Sequence, residues 1–279
     1  MSDLVVRRLL IDLETPPARH WMAGDAFLTA YFNALSMSFP VGEQFFIDSV
    51  RLGLAQLPPE QRARFEPEVR GFIGQEATHR RVHQRFNAHL EQQGLVNEWQ
   101  VRITQRLRRL EGVDARAWVA LTAATEHFTA ILAEHMLAHR EQMQGTEERL
   151  QTMWLWHASE ETEHRSVAFD LYRALGGSER WRLRLFHYVT FRFLTDLMLQ
   201  TWRNLRRDGT LWQRSTWSSG WRFVFGRGGL VRELSGPWAR YRRADFHPDQ
   251  QNAEPALGWL RAHADVAVPV GGVANRSAA

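Results

Sequence analysis

The chain has 279 residues, 44% of them hydrophobic, with 16 Phe and 12 Trp, enough to fill a sizeable core in one large or two smaller domains. It contains no cysteine, which excludes disulfides, zinc–thiolate and iron–sulfur sites and thiol nucleophiles, and leaves imidazole and carboxylate as the metal donors. The net charge is +4 and all 35 basic residues are arginines, but pairs such as Arg7/Arg8 and Arg206/Arg207 are scattered and accompany no nucleic-acid motif, so nucleic acid is not an expected partner.

Residues 1–8 lack a long apolar core ahead of a small-residue cleavage site, which makes a cytoplasmic location the default expectation. Residues 4–13 mix apolar and basic side chains in an extended pattern before Pro16/Pro17, and read as an arm lying on the body. Residues 25–35 form a short apolar helix-like stretch. Pro40 suits the first position of a separate helix, on which Glu43, Phe46, Ile47 and Val50 share one face and point Glu43 inward.

After Pro58/Pro59 a long helix is expected over roughly 66–92, with Pro67 near its start and Gly94 past its end. Val69, Phe72, Glu76, His79, His83 and Phe86 lie on one stripe of it. Residues 97–110 read as a short basic helix capped by Asn97 and stopped by Gly112, serving as a crossover. Asp114 caps the next helix, where small residues surround Glu126. Thr146 opens a fourth long helix running to Gly176/Gly177, whose inner stripe holds Met153, His157, Glu161, His164 and Leu171.

Ser178 starts a further helix to about Arg206, and residues 211–241 are rich in Trp and Gly. For the tryptophans between Trp202 and Trp238 the expectation is core, with a lid or a membrane-surface face as alternatives. Polar residues Arg192, Asp196 and Gln200 interrupt the apolar run 189–202, so no transmembrane segment is expected. The predicted organisation is one domain over 1–279: a core bundle at about 36–175, a helical extension at 178–250, and a loosely ordered tail at 251–279.

The chemistry is concentrated in two Glu-x-x-His motifs, Glu76/His79 and Glu161/His164, each preceded by a single inward glutamate, Glu43 or Glu126. A three-residue helical step turns about 300°, so such a Glu and His project from adjoining edges of one face. Chance alone supplies about one Glu-x-x-His in a chain of this composition, so one motif is weak and the set carries the signal. His157, Glu161 and His164 step by four and then three and face one point. Two helices giving one Glu each and two giving Glu-x-x-His is the donor arithmetic of a two-metal carboxylate site in a four-helix bundle. Four inward carboxylates need compensating cations. His83, one turn beyond His79, is expected as a non-ligand, either a supporting partner of the site or an ordinary core histidine, with an extra ligand as the alternative.

At these residues the sequence resembles the ferritin-like di-iron carboxylate proteins. The run His157-x-x-x-Glu161-x-x-His164, with Glu43, Glu76-x-x-His79 and Glu126, is similar to the seven-ligand set of the arylamine N-oxygenases. The whole chain, through Gly42-Glu43-Gln44-Phe45-Phe46, Gly74-Gln75-Glu76, Glu126-His127-Phe128 and Phe246-His247-Pro248, also resembles a bacterial family labelled "predicted metal-dependent hydrolase", over most of residues 5–250.

These readings predict an all-α, ferritin-like four-helix bundle with additional helices and an N-terminal extended arm. The expected function is that of a di-iron oxygenase-like oxidoreductase holding two metal ions, iron first and manganese or zinc as alternatives, and activating O2 on a hydrophobic or aromatic small molecule with an external reductant. A metal-dependent hydrolase on the same site is the alternative, and a non-catalytic metal-binding protein the third reading. A homodimer and peripheral membrane contact are the remaining expectations for partners.

Overall fold

Helix starts are set by short polar side chains that accept from the first free amides. Asp25 accepts from Leu28 N, Asn97 from Gln100 N, Asp114 from Arg116 N and Ser178 from Trp181 N. In the structure, a computed structural model that describes residues 4–270, these starts open α1 (Ala26–Gln56), α3 (Glu98–Leu107), α4 (Ala115–Ala138) and α7 (Glu179–Asp208). The remaining helices are α2 (Pro59–Gln92), α5 (Glu148–His164), α6 (Val167–Ala174), α8 (Arg214–Phe225), α9 (Leu230–Arg240) and α10 (Glu254–Ala262). The fold is an all-α helical bundle, and the described strands are β1 (Arg7–Leu9) and β2 (Ala267–Pro269).

α1 packs chiefly on α2 and α4 on α5, while α1–α4 and α2–α5 contacts close the four-helix core. Apolar side chains form two clusters, one around Trp21, Phe32, Phe86 and Trp154, the other around Phe46, Phe72, Phe128 and Tyr241. Glu43 on α1 and Glu76 and His79 on α2 lie where each helix passes from one cluster to the other, and Glu161 and His164 end α5 between its own residues in the first cluster and those of α6 in the second. The polar layer is thereby walled by hydrocarbon at both ends of the bundle.

Pro40 does not begin a helix as its position in the sequence suggests. It lies inside α1, which runs without a break from Ala26 to Gln56. A proline there cannot donate to the carbonyl four residues back, which is that of Ser36. Asn87 of α2 supplies the missing donor, its Nδ2 lying 2.9 Å from the Ser36 carbonyl, and Asn97 Nδ2 donates to the Met37 carbonyl at 2.7 Å. α2 likewise begins at Pro59 and carries Pro67 in its interior. The fourth long helix expected over 146–175 is instead two, interrupted at Arg165–Ser166 directly after His164, where buried Arg165 donates to the Gln251 carbonyl at 2.8 Å.

The arm at the start of the chain is tied down at both ends of the sequence. β1 pairs antiparallel with β2, Arg7 opposite Pro269 and Leu9 opposite Ala267. Residues 254–269, expected as loose tail, therefore form α10 and an edge partner for the arm, whereas residues 271–279 of that tail lie outside the described part. The arm also lies flat on α2, because Gly71 and Gly74 leave no side chain in the way: a Cβ on Gly74 would meet Val6 Cγ2 at 2.3 Å.

Of the tryptophans expected as core, Trp238 packs against the second cluster, whereas Trp202, Trp212, Trp217 and Trp221 are exposed. Trp212 is 88% exposed and Trp221 66% exposed. α8 docks through its small residues, with Gly220 so close that a Cβ would reach Phe27 at 2.6 Å, and this turns Trp217, Trp221 and Phe225 outward while Phe223 packs on Phe27, Tyr31 and Phe32. No helix among the described residues is long and apolar enough to cross a membrane.

Asn87→Leu removes the donor that completes α1 at Pro40 and leaves the Ser36 carbonyl buried and unpaired. The expected loss is about 1–3 kcal/mol, read from the denaturant midpoint with an unchanged slope.

Candidate metal centre

The structure brings all seven expected donors together. Glu43 comes from α1, Glu76 and His79 from α2, Glu126 from α4, and His157, Glu161 and His164 from α5, and every one is buried. Their donor atoms fall into three overlapping groups, each with all atoms within 4.8 Å of one another: Glu43, His79 and His157; Glu76, His79 and Glu161; Glu76, Glu126 and His164. Glu76 and His79 each belong to two groups and so join them into one site.

Close approach here is not hydrogen bonding. His164 Nε2 lies 3.1 Å from Glu76, 3.4 Å from Glu126 and 3.5 Å from Glu161. His79 Nδ1 lies 3.6 Å and His157 Nε2 3.1 Å from Glu161 Oε1. Yet both oxygens of Glu43, Glu76 and Glu126, Oε2 of Glu161, Nδ1 of His79 and Nε2 of His164 have no hydrogen-bond partner. Buried carboxylate oxygens are rarely left bare, and a shared cation is the partner that such convergent lone pairs fit.

The opposite side of each imidazole is fully anchored, and this fixes which nitrogen faces the carboxylates. His79 Nε2 reaches Glu160 Oε2 at 3.0 Å, and His164 Nδ1 reaches Gln75 Oε1 at 3.0 Å. His157 Nδ1 meets His83 Nε2 at 3.0 Å, His83 Nδ1 meets Ser36 Oγ at 2.8 Å, and Ser36 Oγ donates to Asn87 Oδ1 at 2.7 Å. One hydrogen-bond assignment satisfies every member of these chains: each ring donates outward, and its inward nitrogen is left to a metal or, without one, to a proton. His83 is thus the support of His157, not a member of the three donor groups.

The arm closes the outer shell. Arg7 grips Glu163 with both terminal nitrogens, at 2.6 and 3.0 Å, and reaches Glu160 at 3.1 Å. Gln75 Nε2 donates to Glu163 at 2.9 Å and to the Val5 carbonyl at 3.0 Å. A continuous polar ring therefore runs His79, Glu160, Arg7, Glu163, Gln75, His164. Nothing in the sequence marks Arg7 or Gln75 as part of the site except that the arm reads as lying on the body and that Gln75 precedes Glu76.

Burial and crowding set the charges of the metal-free cluster. Burial, reinforced by Glu76 and Glu161, pushes Glu43 well above the usual carboxylate range, and burial does the same to Glu126. For Glu161 burial is outweighed by His164, His157 and His79, which hold it well below that range. Burial opposes charge on His79, but Glu160 and Glu161 overcome it and raise the ring to about 10. Burial and the neighbouring His79 lower His157 to about 4.

A cavity of about 360 Å³ adjoins the donors and ends on Glu43 and Glu161. Its walls are mostly apolar, formed by Phe39, Phe45 and Phe46 of α1, Ile103 of α3, and Val189 and Phe193 of α7. The exposed side chains among its lining, Arg109, Tyr188 and Arg192, mark where it opens. The expected crossover helix and the extension thus build a chamber beside the donors, a role their sequences do not announce.

Residues 5–252 match a family described as "predicted metal-dependent hydrolase". No curated protein and no solved structure matches the chain.

Two outcomes test the geometry. Because His79 holds its proton up to about 10 in the metal-free fold and only to about 6.5 when unfolded, the stripped protein loses stability as pH rises from 6.5 towards 10. Metal displaces those protons, so thermal melting with and without chelator should diverge over that window. Arg7→Ala opens the outer ring at its centre and should weaken metal binding about 10- to 100-fold with helix content unchanged, measured by competition with a chromogenic chelator and circular dichroism.

Proposed function

The chain belongs to this family of predicted metal-dependent hydrolases, and from that premise we propose an enzyme that holds two metal ions between α1, α2, α4 and α5 and acts on an apolar small molecule in the adjoining cavity. The observation that carries this reading is the unpartnered state of the inward oxygens of Glu43, Glu76 and Glu126, facing three imidazoles whose outer nitrogens are all tied. Glu76, Glu126 and His164 would hold one ion, and Glu43, His79 and His157 the other, with Glu161 reaching both sides.

Bound there, a redox-active pair such as iron would supply O2 activation with electrons from an external reductant, whereas a redox-inert pair such as zinc would supply Lewis acidity for hydrolysis. Four carboxylates with three imidazoles and no thiolate suit iron or manganese. That donor set, with its resemblance to ferritin-like arylamine N-oxygenases, supports the oxidative reading. The family description supports the hydrolytic one, and it is the more direct support of the two. The cavity is what favours either over mere metal storage, since storage needs no chamber for an organic molecule.

The chain's own residues prepare the chamber. Its aromatic and aliphatic walls exclude water and select an apolar substrate. Phe39 stacks on His157 with centroids 4.6 Å apart and so separates that ring from the open volume. The hydroxyls of Ser38, Thr125 and Thr129 are spent on the carbonyls of Leu35, Leu121 and Glu126. Proton handling at the end of the cavity therefore falls to Glu43, where burial favours the protonated carboxyl, and not to these three hydroxyls.

Elemental analysis should find two metal ions per chain, and Glu161→Ala should bring this below one with circular dichroism unchanged. Protein loaded separately with iron, manganese and zinc then decides the chemistry. Oxygen consumption by the iron form with apolar aromatic substrates supports oxidation, and ester or amide turnover by the zinc form under strict anaerobiosis supports hydrolysis. A protein that retains none of these metals overturns both.

A further inference from the structure

α7 carries an outward face that no other element among the described residues covers. Trp181, Tyr188, Phe191, Leu194, Met198 and Trp202 are 38–65% exposed. Their steps of seven, three, three, four and four keep them on one side of the helix, opposite the buried Phe186, Val189 and Leu197. An exposed apolar face of this length is a place where something binds.

Charge identifies the occupant. Between Arg180 and Arg207 the only acidic residue is Asp196, and it is buried and held by Arg102 at 2.6 Å and by Arg106. The exposed Arg184, Arg192 and Arg206 make no ion pair among the described residues. Arg192 lies over the rings of Tyr188 and Phe191 at 5.6 and 5.5 Å, and Arg206 over Trp202 at 5.6 Å. Guanidinium groups lying along aromatic rings can turn their charge toward phosphate while the rings enter hydrocarbon. A second copy of the same face would set arginine against arginine, with no carboxylate to relieve it.

The cavity opens on this same face, through Tyr188 and Arg192. We propose that α7 seats the protein on the surface of an anionic lipid bilayer, at the depth of the headgroups, with the mouth of the cavity turned to the lipid. That seat would let apolar molecules dissolved in the bilayer enter without crossing water. The docking is independent of the metal chemistry, whereas the route into the cavity rests on the function proposed above.

The test is sedimentation of the full chain with vesicles of phosphatidylcholine alone or mixed with phosphatidylglycerol. Binding to the anionic vesicles should exceed binding to the neutral ones by about tenfold at low salt and weaken as salt is raised. The double variant Phe191→Ser/Met198→Ser, which leaves the cavity residues intact, should lose about tenfold in vesicle binding at an unchanged melting temperature. Should that variant fail to fold, Arg184→Glu/Arg206→Glu reads the same surface through its charge. Chelator-treated protein should bind vesicles as well as untreated protein, so loss of the metal reading would leave this one standing. Equal weak binding to both vesicle types overturns the proposal, as does a dimer in light scattering that the double variant abolishes.

Discussion

Four carboxylates share one buried layer of the bundle, and their mutual repulsion is the constraint around which the rest is arranged. Two unit charges about 4 Å apart repel by about 4 kcal/mol even at an effective dielectric of 20, and burial adds the cost of lost hydration. Such a cluster persists only if cations or protons enter it. In the metal-free fold burial and crowding raise Glu43 and Glu126, and the surrounding carboxylates raise His79 and His164 against burial, each in the direction that reduces net negative charge. The same atoms are left without partners, so that the layer is held ready for positive charge.

That layer needs a rigid frame, because convergent donors stay convergent only if their rings cannot turn. The frame comes from outside the four helices as well as from within them. Arg7 on the arm bridges Glu160 and Glu163, and these in turn orient His79 and, through Gln75, His164. Asn87 has two tasks at once: it completes α1 where Pro40 leaves a carbonyl unpaired, and it ends the chain of hydrogen bonds that turns His157 inward. The bend-prone point of α1 and the orientation of a donor ring are thus coupled through one side chain.

Periodicity made much of the architecture legible. It placed Glu43, Glu76, Glu126 and Glu161 on apolar helix faces, and side chains on the inner faces of neighbouring helices meet for reasons that depend only on the 3.6-residue repeat. What it could not reveal are features that depend on partners distant in sequence. Pro40 reads as a helix start because its rescuer, Asn87, lies on another helix. Glu160 and Glu163 flank the donor stripe, and it is their distant partners, His79 and Gln75 on α2 and Arg7 on the arm, that turn them inward. The tryptophans of α8 read as core by composition alone, whereas the small residues Thr216, Ser219 and Gly220 decide which side of that helix goes inward. The chamber beside the donors is likewise a product of α3 and α7 meeting α1, which no local pattern encodes.

The pairing of β1 with β2 joins residues about 260 positions apart. During synthesis all seven donors are made before β2, so the arm that carries Arg7 gains its edge partner only after them. Two segments near opposite ends of the described residues thus meet to hold the strand from which Arg7 reaches Glu160 and Glu163.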